Sequence, residues 1–192
     1  MAEGAVVDWL AEVTGRDGRP VRIRRATADD AAAVLAHMHA AGGETPFLSF
    51  GPEGPGRSEA DQRALLATMA ASDNALALVA ERAGEAGHVV ACLTFSGGDR
   101  ARLRHVGEFG ISVARECWGS GVGRRMIELL LEWAAAGGVV RKINLRVQPE
   151  NARAIALYEA LGFVLEGRLS RDIVIDGRFR DTILMGREID PA

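Results

Sequence analysis

One stretch, from Phe109 to Trp133, constrains the fold of this chain more than any other. Its first part alternates apolar and polar residues, with Phe109, Ile111 and Val113 on one side, and this two-residue period predicts a strand. Its last part carries apolar residues at helical spacings of three, four and seven: Val122, Met126, Leu129, Leu130 and Trp133. The chain is therefore predicted to pass from a strand into a helix within a few residues.

Three glycines, Gly119, Gly121 and Gly123, join this strand to this helix. The first turn of a helix has backbone N–H groups without partners inside the helix, and the positive end of the helix dipole lies there. Glycine has no Cβ, so an anion can approach the backbone closely. We interpret the stretch as a pyrophosphate-binding loop. A tight strand-to-helix connection without a ligand is the alternative.

Two better-known phosphate-binding loops do not fit this spacing. The nucleoside triphosphate loop ends in Gly-Lys-Ser/Thr, whereas Gly123 is followed by Arg124 and Arg125. A dinucleotide-binding Rossmann domain carries G-x-G-x-x-G near its first strand, whereas this chain has G-x-G-x-G past its middle. A Rossmann domain that binds NAD is therefore only a competing hypothesis.

A second motif follows in the next strand–helix unit. Asn151 is predicted to cap a helix that carries Ile155 and Tyr158 on one face, and Gly162 is predicted to end it. The segment from Asn151 to Phe163 reads NARAIALYEALGF. A capped amphipathic helix with a core tyrosine explains this segment alone, but it explains the pairing with the glycine loop poorly.

The segment from Val113 to Gly123, VARECWGSGVG, resembles motif A of the GNAT superfamily of acetyl-CoA-dependent N-acyltransferases, Arg/Gln-x-x-Gly-x-Gly/Ala. Gly121 and Gly123 match its glycines, and Trp118 stands where arginine or glutamine is usual. The second motif resembles the other signature of the superfamily, N-x-x-A-I-x-L-Y-x-x-x-G-F. The likeness covers roughly residues 21–188. Within the superfamily, the chain resembles the branch of spermidine and ribosomal-protein N-acetyltransferases.

This resemblance implies acetyl transfer from acetyl-CoA, as co-substrate, directly to a primary amine of a small molecule or a peptide. It implies that Tyr158 protonates the departing sulfur, which suits a phenol because its ordinary pKa is about 10. Arg125 is expected to help the loop hold the pyrophosphate. The expected cofactor-binding residues are Ile111, Ser112, Val113, Trp118, Gly119, Ser120, Gly121, Val122, Gly123, Arg124, Asn151 and Tyr158.

Glu108 is the candidate catalytic base, acting through a water, because acids at this point of the strand often serve so in the superfamily. Two other interpretations stay open. Glu108 could instead be the structural partner of an arginine such as Arg146, and His105 could be the base. A non-catalytic acyl-CoA-binding module of the same fold is the alternative function.

The order of the predicted elements is a hairpin, two strand–helix units and another hairpin, with helices between. This order predicts an α/β or α+β fold with a mixed, mostly antiparallel central sheet flanked by helices, which the resemblance identifies as a GNAT-like acyltransferase fold. Residues 1–20 are expected to form an N-terminal extension, as a docked helix or a loose arm. Residues 21–190 are expected to form a single N-acetyltransferase domain. The loop at 42–57 is expected to be a lid or a solvated connector.

Composition limits the partners and the compartment. About half of the 192 residues are apolar (48%) and the net charge is −3, which argues against nucleic acid as the main partner. The two cysteines lack metal-ligand spacing, so we expect reduced thiols and no metal. The apolar stretch at 129–140 is interrupted by Glu132 and is too short to span a membrane, so we expect a cytoplasmic protein. Dimers are frequent in the family that the chain resembles, so a homodimer is left open.

The amine acceptor is not determined by the sequence. A polyamine would need a cluster of acidic side chains, and several acids lie in or beside the loose loop: Glu44, Glu53, Glu59 and Asp61. Whether these acids converge depends on the fold. A protein N-terminus would need an open groove instead.

Overall fold

The computed structural model describes residues 8–85 and 87–190. Within them, eight strands form one sheet in the order β1-β2-β3-β4-β5-β6-β8-β7, together with four α-helices. Strands β5 and β6 are parallel, and all the other neighbouring pairs are antiparallel. The predicted fold, a mixed and mostly antiparallel sheet flanked by helices, is confirmed.

The strands are β1 Trp9–Thr14, β2 Pro20–Arg25, β3 Ala75–Arg82, β4 Val89–Gly97, β5 Val106–Val113, β6 Lys142–Val147, β7 Val164–Ile175 and β8 Arg178–Glu188. The helices are α1 Ala31–Glu44, α2 Glu59–Ala70, α3 Val122–Gly137 and α4 Ala152–Ala160. Short 3-10 turns at Ala28–Asp30 and Arg115–Cys117 precede α1 and α3.

The sheet separates two apolar cores. One core contains residues of α3 and α4, and the other contains residues of α1 and α2. Neighbouring residues of β3 alternate between them, since Leu78 belongs to the first core and Val79 to the second. The sheet is therefore covered by helices on both faces.

Local signals in the sequence place the helix ends correctly. Ser58 Oγ accepts a hydrogen bond from the backbone N–H of Asp61 at 3.1 Å, and Asn151 Oδ1 accepts one from that of Ala154 at 3.2 Å. Gly162 follows α4 with φ of 82°, in the left-handed region that favours glycine. These caps fix the start of α2 and both ends of α4.

Residues 9–14 form neither a docked helix nor a loose arm, which corrects the expectation for the N-terminal extension. They form β1, an edge strand that pairs antiparallel with β2. Ala11 and Val13 alternate with the charged Glu12 and pack against the larger core, so a two-residue period determines this segment. The boundary at residue 20 stays a prediction, and residues 1–7 lie outside the described part.

The parallel pair of strands opens a gap in the sheet. Pairing between β5 and β6 covers Val106, Gly107 and Glu108, and no later residue of β5 pairs with β6 in the described part of the chain. Strand β5 nevertheless continues to Val113, paired with β4 along its other edge. One edge of β5 therefore stays open where it runs toward the glycine loop.

Candidate active site

A cleft of about 1110 Å³ lies at this gap. It brings together most of the predicted site residues: Glu108, Ile111, Ser112, Val113, Trp118, Gly119, Gly121, Gly123, Arg124, Asn151 and Tyr158. Ser120 and Val122 are placed differently. Ser120 Oγ donates to the carbonyl of Cys117 at 2.6 Å, and the side chain of Val122 is buried in the core. The N–H of Ser120 donates to the same carbonyl at 3.3 Å, and the N–H of Val122 donates to Ser120 Oγ at 3.5 Å, so neither residue lines the cleft.

The glycine loop has the geometry of an anion-binding helix start. Gly119 and Gly121 have φ of 79° and 91°, which L-residues rarely adopt, and Gly121 is the N-cap of α3. The first hydrogen bond of the helix joins the N–H of Arg125 to the carbonyl of Gly121 at 2.9 Å. The N–H groups of the first turn before Arg125 therefore have no partner inside the helix, as an anionic ligand requires.

The tryptophan of the loop is fixed by its indole nitrogen. Trp118 Nε1 donates a hydrogen bond to the carbonyl oxygen of Val113 at 2.8 Å. The guanidinium groups of Arg115 and Arg153 lie 5.5 Å and 5.8 Å from the centroid of its ring. The residue that departs from the usual motif thus ties the loop to the end of β5.

The open edge of β5 presents backbone groups to the cleft. The N–H of Ala114 donates to the carbonyl of Val90, and the carbonyl of Val106 accepts from Gly98, so even-numbered residues direct their backbone groups toward β4. Alternation along a strand then directs the N–H and C=O groups of Ile111 and Val113 into the gap. The carbonyl of Val113 accepts the hydrogen bond from Trp118. The N–H and C=O of Ile111 and the N–H of Val113 are left for a ligand.

Ser112 lines the cleft, but its hydroxyl group already has a partner. Its Oγ lies 2.8 Å from Nε2 of His37, and both side chains are buried. Burial lowers the pKa of His37, which favours the neutral ring. His37 is buried beneath the site, whereas His39, on the same helix, is exposed.

Tyr158 lies at the wall of the cleft on α4. Its side chain is 8% exposed and its ring contacts Phe109 and Phe163, at centroid distances of 5.9 Å and 6.1 Å. Burial raises its pKa to about 12, so the phenol keeps its proton at neutral pH. The hydroxyl has no hydrogen-bond partner among the described residues, yet it is not sealed off from solvent. It can therefore donate a proton into the cleft.

Glu108 forms an ion pair with Arg146, which is the structural alternative to a role as the base. Its Oε2 lies 3.2 Å from Nε of Arg146, and both side chains are about half exposed at the cleft. This ion pair is confirmed, while the role of Glu108 as a base stays a prediction. His105 is exposed in the turn before β5 and does not line the cleft.

Asp172 is a cleft residue that sequence reasoning missed. Nη1 of Arg146 lies 3.6 Å from its Oδ1, and Thr182 Oγ1 donates to its Oδ2 at 2.6 Å. A bulge in β7 between Leu169 and Ile173 shifts the register there. Bulges re-aim side chains, and no local pattern in the sequence marks this one.

The four acids of the loose loop do not converge. Glu44 accepts from the backbone N–H of Arg115, Glu59 pairs with Arg63, and Asp61 Oδ2 accepts from the hydroxyl group of Ser58 in the capping box of α2. Glu53 alone of the four lines the cleft. The loop itself does reach the site, because Thr45, Phe47, Leu48, Ser49, Phe50 and residues 53–57 line the cleft.

The two arginines after the loop differ in position. Arg124 lines the cleft, 3.9 Å from Glu128 on the same helix. Arg125 does not line it, and its Nη1 pairs with Glu132 at 2.7 Å along α3. The expectation that Arg125 helps to hold the pyrophosphate stays a prediction, and the ion pair with Glu132 directs this side chain along the helix instead of into the cleft.

No cluster of three or more His, Cys, Asp or Glu side chains suited to a metal occurs in residues 8–85 and 87–190. In the same described part, no helix is both long enough and apolar enough to cross a membrane.

The cleft between the separating strands β5 and β6 is thus lined by an open strand edge, a glycine turn at a helix start and a tyrosine on the next helix. Residues 46–163 match the acetyltransferase (GNAT) family. The chain belongs to this family.

Individual relatives agree with this assignment. The chain is 40% identical over 74 residues to the spermidine N(1)-acetyltransferase of Vibrio cholerae, covering 38% of this chain and 43% of that protein. It is 35% identical over 105 residues to the L-amino acid N-acetyltransferase AaaT of Escherichia coli, covering 53% of this chain and 62% of that protein. These matches thus span about half the length of the curated relatives.

A solved structure is similar over most of the fold. The GNAT-family acetyltransferase from Streptococcus pneumoniae superposes with a TM-score of 0.81 and 32% sequence identity, covering 88% of this chain and 99% of that chain. The likeness therefore includes both the sheet and the helices around the cleft.

Proposed function

We infer that this protein is an acetyl-CoA-dependent N-acetyltransferase, which moves the acetyl group directly to a primary amine of a small molecule or a peptide. One observation carries the proposal. The glycine loop, the open edge of β5 and the phenol of Tyr158 line the same cleft. Phosphate binding, a place for a thioester arm and a proton donor are thereby combined in one site.

The residues of the cleft fit the cofactor. The N–H groups of Gly123 and Arg124, which have no partner among the described residues, suit a pyrophosphate, and a side chain at Gly119 or Gly121 would be strained by the positive φ. The free backbone groups of Ile111 suit the amides of the pantetheine arm. Asn151 lines the cleft while its Oδ1 caps α4, so its amide nitrogen is the group left for the cofactor. When bound, acetyl-CoA supplies an activated acetyl thioester.

Two side chains have the chemistry for the proton transfers. Tyr158 holds a proton on its hydroxyl oxygen and can give it to a departing sulfur, because its pKa of about 12 exceeds that of an ordinary thiol, about 8.5. Glu108 is the proposed base, which takes a proton from the acceptor amine directly or through a water. Its place at the cleft, where β5 and β6 separate, supports this role.

The remaining expectations stay proposals. The acceptor is a small-molecule or peptide amine, which agrees with the names of the spermidine and L-amino acid relatives. Nucleic acid is not proposed as a partner, and a homodimer stays open. The cytoplasmic location is supported by Cys92 and Cys117, two buried thiols that form no disulfide.

A screen of amines with acetyl-CoA tests the proposal. The assay measures free thiol release with polyamines, amino acids, aminoglycosides and short peptides, and mass spectrometry identifies the acetylated product. We expect thiol release that depends on one class of amine. Binding of acetyl-CoA in a thermal shift assay without thiol release over the whole panel would instead indicate the non-catalytic acyl-CoA-binding module.

A further inference from the structure

One charged cluster in the cleft is not accounted for by cofactor binding or by the proton on Tyr158. Arg146 on β6 lies between two carboxylates, with its Nε 3.2 Å from Glu108 on β5 and its Nη1 3.6 Å from Asp172 on β7. Thr182 on β8 holds Asp172 by a hydrogen bond of 2.6 Å. All four residues line the cleft, so the cluster forms part of its wall.

The cluster has unused capacity for a ligand. The side chains of Glu108 and Arg146 are 44% and 48% exposed, so their charged ends face the cleft rather than the core. A guanidinium group has five N–H donors, and the ion pairs with Glu108 and Asp172 use Nε and Nη1 of Arg146, so that Nη2 makes no hydrogen bond to a described residue. A carboxylate can therefore accept a charge-assisted hydrogen bond from Nη2.

The cluster contains two carboxylates and one guanidinium group, so charges of both signs lie together. A polyamine can pair with the carboxylates, but it has no acceptor for the N–H groups of Arg146. An α-amino acid carries its ammonium and its carboxylate on a single carbon atom. Its two charges match the neighbouring Glu108 and Arg146, which are themselves 3.2 Å apart.

We propose that Glu108, Arg146 and Asp172 form a binding site for the head group of a free α-amino acid, and that Arg146 selects acceptors with a carboxylate beside the amine. This inference rests on the proposed N-acetyltransferase function and narrows its acceptor. Glu108 and Asp172 bind the ammonium group, and Arg146 binds the carboxylate. The amine is thereby placed beside the carboxylate that is to take its proton.

Matched substrates test the proposal on the full-length protein. The substrates are L-phenylalanine, L-phenylalaninamide and 2-phenylethylamine, a second set built on L-methionine, and spermidine. Only the group beside the amine changes within each set. We expect kcat/KM to be at least about tenfold higher for the amino acid than for its amide or its decarboxylated amine, because a charge-assisted hydrogen bond is lost in both.

Variants then assign the preference to one side chain. Arg146→Gln should reduce the ratio of amino acid to amide about tenfold or more, chiefly by raising KM for the amino acid. Arg146→Lys should fall between, since it keeps the charge and loses the planar guanidinium group with its separate donors. Arg168→Gln is the matched control: Arg168 pairs with Asp181 at 2.8 Å on the neighbouring strands and does not line the cleft, so the ratio should not change.

Two results would overturn the inference. One is a wild-type protein that acetylates the amide, the decarboxylated amine or spermidine as well as the amino acid; the other is a preference that survives in Arg146→Gln. Calorimetry with N-acetyl-L-phenylalanine and with N-acetyl-2-phenylethylamine, in the presence of CoA, tests carboxylate binding independently of turnover. Equal affinity for these two compounds would also reject the amino acid site.

Thiol release with no amine at all would instead reject the proposed N-acetyltransferase function.

Discussion

The indole nitrogen of Trp118 lies 2.8 Å from the carbonyl oxygen of Val113, and this hydrogen bond joins the glycine loop to the end of β5. The phosphate-binding element and the strand that borders the cleft are thus held in one fixed relation. Motif A usually has arginine or glutamine at this position. In this chain the side chain at that position ties the loop to the strand, and its contact with the cofactor stays a prediction.

Trp118→Phe keeps an aromatic ring and removes the hydrogen bond. We expect acetyl-CoA to bind about two- to tenfold more weakly, since a net hydrogen bond contributes about 0.5–1.5 kcal/mol. Isothermal titration calorimetry measures the change. Trp133→Phe is the control. Trp133, on α3, packs edge-on against Phe95 of β4 and does not line the cleft. Equal losses in both variants would contradict a specific role for the Trp118 hydrogen bond.

Tyr158→Phe keeps the contacts with Phe109 and Phe163 and removes the proton. We expect kcat to fall by about 10²–10⁴-fold with little change in acetyl-CoA affinity, the usual range for a general acid. Stability should hardly change, because the hydroxyl bonds no described residue. Steady-state kinetics and calorimetry separate the two effects. Wild-type turnover in this variant would remove Tyr158 from the mechanism.

Glu108→Gln keeps the shape of the side chain and abolishes its basicity. A carboxylate base must be ionised to accept a proton, so the wild-type rate should decline at acid pH, and we expect this acidic limb to disappear in the variant while kcat falls about 10²–10⁴-fold. The measurement is a pH profile of kcat/KM. Glu166→Gln is the control, since Glu166 pairs with Lys142 at 2.7 Å outside the cleft. An unchanged acidic limb in Glu108→Gln would point to another base.

His37 should make stability depend on pH. Burial lowers the pKa of its ring in the folded state, whereas an unfolded histidine has a pKa of about 6.5. Below about pH 6.5 the unfolded chain binds a proton that the folded chain resists, so the free energy of unfolding should decrease as the pH falls. His37→Gln should flatten this part of a Tm–pH curve, and His39→Gln, on the exposed side of α1, should not. Parallel curves for wild type and His37→Gln would refute the assignment.

Gly121→Ala tests whether backbone strain, and not crowding of an added Cβ, explains the glycine at this position. Gly121 has φ of 91°, so alanine should destabilise the fold by roughly 1–2 kcal/mol, although no atom lies closer than 3.8 Å to the added Cβ. Gly123→Ala is the matched comparison, since its Cβ would be 3.5 Å from Val113 Cγ2 at an ordinary φ. We expect thermal unfolding to show a loss in Gly121→Ala alone. An equal loss in both variants would mean that crowding, and not φ, determines the choice of glycine.

The sequence by itself determined the elements whose causes are local. The strand–glycine–helix order around Gly121, the capping residue Asn151 and the end of α4 at Gly162 all follow from periods and caps that involve residues within a turn or two. The same local reasoning placed Tyr158 on α4 and, with the family resemblance, assigned its role. The ion pair of Glu108 with Arg146 was also foreseen, because the two strands were expected to be neighbours.

Only the tertiary structure decided which distant residues meet. His37 and Ser112 are 75 residues apart and join through the packing of α1 on β5. Asp172 reaches Arg146 because of a bulge in β7, and residues 9–14 are a strand because β2 offers a free edge. The acids of the loose loop were bound by local caps and by Arg115 instead of converging. Such contacts depend on the register and packing of whole elements, which no short sequence pattern specifies.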